Sequence, residues 1–146
     1  GEVPEGEYII PLGVADVKRA GTDVTVVSFG KIIKEAYKAA DELAKEGISV
    51  EVIDLRTIRP LDIDAIITSV KKTNRLVILE EAWPYGNIST EISYQVQEKA
   101  FDFLDAPVKR INTADTPAPF SPVLLEEWLP DYKDVIKEVK EVLYVK

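Results

Sequence analysis

Cysteine, histidine and methionine are all absent from this 146-residue chain. Without histidine and cysteine, the commonest general base, the usual thiol nucleophile and the two main zinc ligands are missing. The absence of cysteine also excludes disulfides and fits a reducing compartment. Because the chain begins with Gly1 and contains no methionine, we expect it to be an excised or engineered fragment.

Long apolar runs and an excess of basic residues are lacking as well. No apolar run approaches the roughly 18 residues of a membrane span, and no charged-then-apolar leader opens the chain. Lys and Arg number 18 against 26 Asp and Glu, which gives a net charge of −8. We therefore expect neither a membrane nor a nucleic acid as partner, and favour a soluble domain or one docked to a basic partner.

The residues that remain have the composition of one globular domain. Apolar residues make up 46% and charged residues 30% of the chain. A chain of 146 residues suffices for one core but not for two ordinary domains. Residues 1–7 are acidic and turn-rich, so we interpret them as a linker remnant and residues 8–146 as the domain.

Three apolar runs rich in Val, Ile and Leu predict the centre of a parallel sheet: Val24–Phe29, Val50–Leu55 and Leu76–Leu79. Amphipathic helical patterns follow these strands and close the chain. They cover Lys31–Glu46, Asp62–Thr73, Asn87–Ala100 and Asp131–Val142. Continuous apolar runs that alternate with helices indicate strands covered on both faces, hence a three-layer α/β/α domain.

The remaining segments complete this fold. Val14–Lys18 is expected as an edge strand, and the tight connection Gly21–Asp23 favours antiparallel pairing with the strand that follows. Val108–Asn112 is the last expected strand. The proline-rich run Asp115–Pro122 can form neither a helix nor a sheet interior, so we expect it to wrap the surface.

A few polar residues near strand ends could serve a site. Ser28 precedes a turn that could hold an anion, but neither phosphate-binding glycine motif is present, and we interpret Ser28 as a helix cap. Glu80 and Glu81 must point to opposite faces, so at most one could enter a site, and we expect a solvated or salt-bridged pair. Arg56 and Arg59 are expected to tie loops or subunits together through carboxylates.

Several motifs follow one another along nearly the whole chain: VEVIDLRTIRPLD, VKKTNRLVILEE, AFDFLDAP and ADTPAPFSP. In this order and spacing they resemble the C-terminal domain of the transketolase family. Within it the chain is most similar to the β subunits of 2-oxo-acid dehydrogenase E1 components, pyruvate dehydrogenases above all. The resemblance implies a mixed five-stranded, mostly parallel sheet with one antiparallel edge strand.

The same resemblance implies a domain without catalytic groups of its own. In this family, thiamine diphosphate lies between two other domains, and the catalytic histidines and the Mg²⁺ and diphosphate ligands lie upstream of the matched segment. No catalytic, cofactor-binding or metal-binding residue is therefore carried over to this chain. The implied parent is a thiamine-diphosphate-dependent pyruvate dehydrogenase E1 β subunit in the bacterial cytoplasm or the mitochondrial matrix.

The resemblance also implies three partners: the E1 α subunit, a second E1 β subunit, and the subunit-binding domain of the E2 acyltransferase. Two elements of the family's E2 surface fall on this chain. The Asp of the LDAP motif is Asp105, and the end of the chain at Val145 and Lys146 stands where the family's terminal carboxylate meets E2. Lys146 extends past the aligned end and adds a positive charge. Asp105 can equally be a turn residue before Pro107.

Two other functional classes stay open. One is a nucleotide-binding regulatory module, which the missing glycine motif disfavours. The other is an engineered or excised α/β scaffold with no function of its own, which the absence of Met, Cys and His suggests.

Overall fold

The computed structural model describes residues 2–145 and shows a mixed five-stranded sheet between two layers of helices. The strands are β1 (Asp16–Arg19), β2 (Val24–Ser28), β3 (Val50–Asp54), β4 (Leu76–Leu79) and β5 (Lys109–Ile111). The helices are α1 (Ile33–Lys45), α2 (Ile63–Thr73), α3 (Ile88–Ala100), α4 (Pro122–Trp128) and α5 (Tyr132–Leu143), with a 3₁₀ turn at Phe101–Phe103. The spatial order is β1-β3-β2-β4-β5, and only β1 runs antiparallel. The predicted fold is therefore confirmed.

The central strands are apolar because both faces of the sheet are covered. Helices α1 and α5 pack on one face, and α2 and α3 pack on the other. Neighbouring residues of one strand enter different cores: Val26 packs under α1 and α5, whereas Val27 packs under α2 and α3. No helix within residues 2–145 is both long and apolar enough to cross a bilayer.

The edge strand β1 pairs with β3 rather than β2, so the antiparallel pairing favoured by the sequence has the wrong partner. The connection after β1 crosses the start of β3, where Thr22 N–H and Asp23 N–H both donate to the Ser49 carbonyl at 3.2 and 2.9 Å. Gly21 permits this crossing, since a Cβ at that position would lie 2.2 Å from the Glu51 backbone nitrogen. Strand β3 consequently lies between β1 and β2.

Helix α4 is a second departure from the sequence analysis. Residues 115–121 form neither a helix nor a strand, as expected, but Pro122 at the end of the proline-rich run begins α4 at its first turn, where proline costs no hydrogen bond. None of the α4 residues is buried, and Val123 and Leu124 remain exposed. A helix that buries no stripe leaves no core-facing pattern for sequence analysis to detect.

Candidate partner-binding site

Asp105 and the C-terminal turn, which is formed by Tyr144 and Val145 after α5, lie side by side at the end of the sheet where β4 and β5 begin. Asp105 precedes β5, and its N–H donates to the Asn74 carbonyl, just before β4, at 2.9 Å. The Tyr144 hydroxyl, one residue after α5, donates to the Asp105 carbonyl at 3.3 Å. Asp105 is thus in contact with Tyr144, the neighbour of the predicted partner residue Val145, while Lys146 lies outside the described residues.

Arg75 joins these two elements, although the sequence analysis did not single it out. Its Nε donates to the Val142 carbonyl in the last turn of α5 at 3.0 Å. One of its terminal nitrogens lies 3.4 Å from Asp105 Oδ2. A helix leaves its last carbonyls without intrahelical partners, and a cation there also complements the helix dipole. The Asp105 side chain stays 58% exposed and is open to a partner.

A sequence signal for Arg75 did exist. Asn74 ends α2 in the left-handed conformation at φ 61°, and Arg75 comes immediately before the buried strand β4. An Asn-Arg pair between a helical pattern and an apolar strand therefore places a basic group at the edge where that strand begins. The partners of Arg75 could not be identified in this way, because they are distant in sequence.

Exposed apolar side chains precede Asp105 in the chain and follow α5 in the turn that contacts it. Phe101, Phe103, Tyr144 and Val145 are all exposed, and the Tyr144 side chain has 72% of its surface accessible. Asn74 Nδ2 donates to the Phe103 carbonyl at 2.8 Å, which fixes this side of the surface. We call the set Phe101, Phe103, Asp105, Tyr144 and Val145 the Asp105 surface. Tyrosine is enriched at interface hot spots, and Phe is also common at interfaces.

The other polar residues considered from the sequence lie at the opposite end of the sheet, where the parallel strands finish. Ser28 is fully buried, and within residues 2–145 its Oγ has no hydrogen-bond partner. Helix α1 has no side-chain cap among the described residues, so the interpretation of Ser28 as a helix cap is wrong. The reason is position in the chain: α1 begins at Ile33, five residues after Ser28, whereas a capping side chain accepts from N–H groups only two or three residues beyond it.

Glu80 and Glu81 differ in burial, as alternation predicts. Glu81 is exposed, whereas Glu80 is fully buried and accepts hydrogen bonds from Ser89 N–H at 3.3 Å and Asn112 Nδ2 at 2.9 Å. The expectation of a solvated or salt-bridged pair is therefore wrong for Glu80. Its carboxylate lies at the N-terminal end of α3, where the helix dipole stabilises negative charge.

Arg56 has the structural role that the sequence analysis expected. Its guanidinium pairs with Asp16 and so ties the loop after β3 to the edge strand β1. Arg56 adopts a left-handed backbone at φ 57°, and its N–H donates to Asp54 Oδ1 at 3.0 Å. The hydrogen bond from Lys18, assisted by the charge of Arg56, holds the pKa of the Asp16 carboxyl below its usual value. Arg59 is exposed.

A cavity of about 480 Å³ opens between the first turns of α1 and α5. Its walls carry charges of both signs, for example Lys31 and Lys34 against Glu81 and Glu126. Such a lining favours no single class of charged ligand.

The described residues do not fit the thiamine diphosphate and Mg²⁺ that the resemblance implies for a parent enzyme. Mg²⁺ prefers clustered oxygen ligands, and within residues 2–145 no group of three or more Asp, Glu, His or Cys is placed to hold a metal ion. The turn after β2 lacks a phosphate-binding glycine motif, and Ser28 faces the core.

Residues 13–135 match the family model for the C-terminal domain of transketolase. The chain belongs to this family. Among curated relatives, it is 51% identical to the β subunit of acetoin:2,6-dichlorophenolindophenol oxidoreductase of Bacillus subtilis, over 98% of this chain and 42% of the relative. It is 49% identical to the pyruvate dehydrogenase E1 component subunit β of the same organism, over 97% of this chain and 43% of the relative.

Relatives of this domain occur in bacteria and in mitochondria. The mitochondrial pyruvate dehydrogenase E1 component subunit β of Dictyostelium discoideum is 48% identical over 93% of this chain and 38% of the relative. Among solved structures, a split-gene transketolase described as an inactive β4 tetramer superposes with a TM-score of 0.82 at 27% identity, over 100% of this chain and 46% of that chain. The chain thus spans less than half the length of the relatives that it matches.

Proposed function

We propose that this chain is the non-catalytic C-terminal assembly domain of a thiamine-diphosphate-dependent 2-oxo-acid dehydrogenase E1 β subunit. In this proposal residues 1–7 are a linker and residues 8–146 form the domain. The domain pairs with a second β subunit in an enzyme that also contains α subunits, and it docks the E2 acyltransferase. The names and identities of the pyruvate dehydrogenase relatives support the assignment.

The observation that carries the docking proposal is the contact between Asp105 and the C-terminal turn. Two elements separated by 39 residues meet through the hydrogen bond from Tyr144 to Asp105. Together with Val145 and Lys146, Asp105 would offer a partner a carboxylate framed by aromatic and aliphatic side chains. A matching partner surface has a basic group at its centre and apolar side chains around it, and we propose that the E2 subunit-binding domain supplies this surface.

A second candidate is the β subunit of an acetoin-oxidising enzyme, which the 51% identity to the acetoin oxidoreductase subunit favours. The pyruvate dehydrogenase relative matches at nearly the same identity, 49%. Two relatives that differ in their named reactions are thus about equally similar to this domain. We infer that the substrate is selected by parts of the parent protein outside this chain, and both candidates leave the assembly role unchanged.

Titration of the chain with a pyruvate dehydrogenase E2 subunit-binding domain, at low salt in a calorimeter, tests the docking proposal. Truncating one side of a buried charge contact costs about 2–5 kcal/mol, whereas an exposed rim charge contributes less than about 1 kcal/mol. We therefore expect Asp105→Asn to weaken binding by well over tenfold. Asp102→Asn is the matched control, because Asp102 is also exposed and lies three residues away.

Removal of residues 145–146 should also weaken binding. Equal affinities for the parent chain, Asp105→Asn and the truncated chain would remove the Asp105 surface from the docking site. The domain would then retain only the subunit-pairing role, which sedimentation of the β subunit with and without this domain would test.

A further inference from the structure

We propose that Arg75 is a positioning residue that fixes the C-terminal turn beside Asp105, so that both elements meet a partner as one rigid unit. Its significance for docking rests on the function proposed above. The fixing itself is a property of the chain alone and can be measured without any partner.

Arg75 joins three elements, namely the segment before β4, the end of α5 and the loop that carries Asp105, and we call this arrangement the clamp. Its backbone precedes β4, its Nε donates to the Val142 carbonyl of α5 at 3.0 Å, and a terminal nitrogen lies 3.4 Å from Asp105 Oδ2. The guanidinium is planar and rigid, so contacts in two directions fix the separation of the groups it joins. A lysine provides one compact ammonium and cannot reproduce this fork.

The turn that Arg75 holds is short and otherwise lightly anchored. Tyr144 adopts a left-handed backbone at φ 57°, and its N–H donates to the Glu141 carbonyl at 3.1 Å. Val145 N–H donates to the Lys140 carbonyl, also at 3.1 Å. The Tyr144 side chain is largely exposed and that of Val145 is about half exposed, so apolar burial of these two residues adds little to holding the turn in place. The buried residue Val142 carries the turn at the end of α5, and the contacts of Arg75 with Val142 and of the Tyr144 hydroxyl with Asp105 are the links that join this end of the helix to Asp105.

Arg75 leaves Asp105 available to a partner. The Arg75 contact is made to Oδ2, and among the described residues Oδ1 carries no hydrogen bond. The Arg75 side chain is 23% exposed against 58% for Asp105, so the clamp lies behind the carboxylate and the carboxylate faces solvent. A basic group on the partner can approach from that open side while Arg75 keeps its hold on Val142.

Hydrogen exchange on the 146-residue chain tests the clamp directly. In Arg75→Gln we expect the Tyr144 and Val145 amides to exchange at least tenfold faster, while the Val139 amide inside α5 is unchanged. Arg75→Lys should give an intermediate rate. Arg19→Gln is the matched control, because Arg19 lies on the far edge strand β1 and pairs with Asp41 of α1, so its replacement also removes an arginine–carboxylate pair. Unchanged exchange of both terminal amides in Arg75→Gln would overturn the proposal.

Titration with the E2 subunit-binding domain tests the effect on docking. Arg75→Gln should weaken binding about tenfold, and removal of residues 145–146 should then cost less in this background than in the parent chain. If Arg75 has only a structural role, the losses of affinity caused by Arg75→Gln and by removal of residues 145–146 will be additive, and such additivity would overturn the positioning role. If the parent chain does not bind the E2 domain at all, the proposed docking function fails, while hydrogen exchange still decides the clamp.

Discussion

The buried carboxylate of Glu51 on β3 accepts a hydrogen bond from the Ser69 hydroxyl of α2 at 2.5 Å. Glu51 is only 2% exposed, and it also accepts from Gly21 N–H at 3.2 Å and from the Lys72 ammonium. Thr25 extends the network through a 2.6 Å hydrogen bond with Ser69. An unpaired charge in a core is costly, so this set of partners explains how a central strand tolerates a glutamate.

Glu51 should make the stability of the domain sensitive to acid. Burial alone would raise the pKa of this carboxyl, but the hydrogen bonds from Lys72, Ser69 and Gly21 outweigh burial and hold the pKa below the usual 4.5. A carboxyl with a lowered folded-state pKa contributes stability above its unfolded pKa, and that contribution is lost as pH falls through the folded pKa. We therefore expect the free energy of unfolding to decline below about pH 4.5, and Glu51→Gln to flatten this decline.

At pH 7, Glu51→Gln should lower the free energy of unfolding by about 1–3 kcal/mol, because the surrounding donors lose their charged acceptor. Glu42→Gln, on the exposed face of α1, is the control and should change it by less than about 0.5 kcal/mol. Urea denaturation across the acid range measures both effects. A Glu51→Gln chain with unchanged stability and an unchanged acid decline would contradict this account of the network.

Replacing Ile53 by Asp should unfold the domain or reduce its stability by several kcal/mol. Ile53 is fully buried on β3 in the core beneath α2 and α3. An aspartate there would have no partner, and the cost of burying it approaches the whole stability of an ordinary domain. Val17→Asp is the control, because Val17 lies on the edge strand and is half exposed. Thermal melts followed by circular dichroism should separate the two, and equal melting temperatures would contradict the burial argument.

The central strands and most helices could be predicted because their buried faces require apolar residues at a regular spacing in the sequence. Leu76–Leu79 is a strand over the residues predicted, and Asp62 begins its helix by accepting a hydrogen bond from Ala65 N–H. Features that depend on distant contacts could not be predicted in this way. Arg75 contacts a carbonyl 67 residues away. Only the family resemblance predicted that Asp105 and the end of the chain belong to the same surface.

Gly21→Ala should destabilise the domain through the crossing that separates β1 from β2. A Cβ at this position would lie 2.2 Å from the backbone of β3, and backbone atoms there cannot yield without disturbing the sheet. We expect a loss of about 1–3 kcal/mol or more. Gly47→Ala is the control, since its Cβ meets no atom within 4 Å and it carries only the strain of φ +81°, about 1 kcal/mol. Urea denaturation of both variants measures the difference, provided that the dependence of the unfolding free energy on urea is the same in both. A loss of stability in Gly21→Ala that is smaller than in Gly47→Ala would contradict the close approach.

Association with a basic E2 domain should slow as salt is added. The chain carries a net charge of −8, which attracts a positively charged partner at long range and speeds the encounter. Salt screens this attraction, because the Debye length is only about 10 Å at 0.1 M ionic strength. Stopped-flow measurements over a salt series should therefore show a falling association rate in both the parent chain and Asp105→Asn.

The parent chain and Asp105→Asn should differ instead in the rate at which they dissociate from the E2 domain. A contact that is buried in the complex acts mainly after the encounter, so Asp105→Asn should raise the dissociation rate and leave the salt slope of association nearly unchanged. Lys45→Glu, on the exposed end of α1, is the complementary control. It makes the chain more acidic without touching the Asp105 surface, so it should raise the association rate at low salt only. An association rate that does not respond to salt would exclude steering by the acidic charge, and an unchanged dissociation rate in Asp105→Asn would exclude a buried role for its carboxylate.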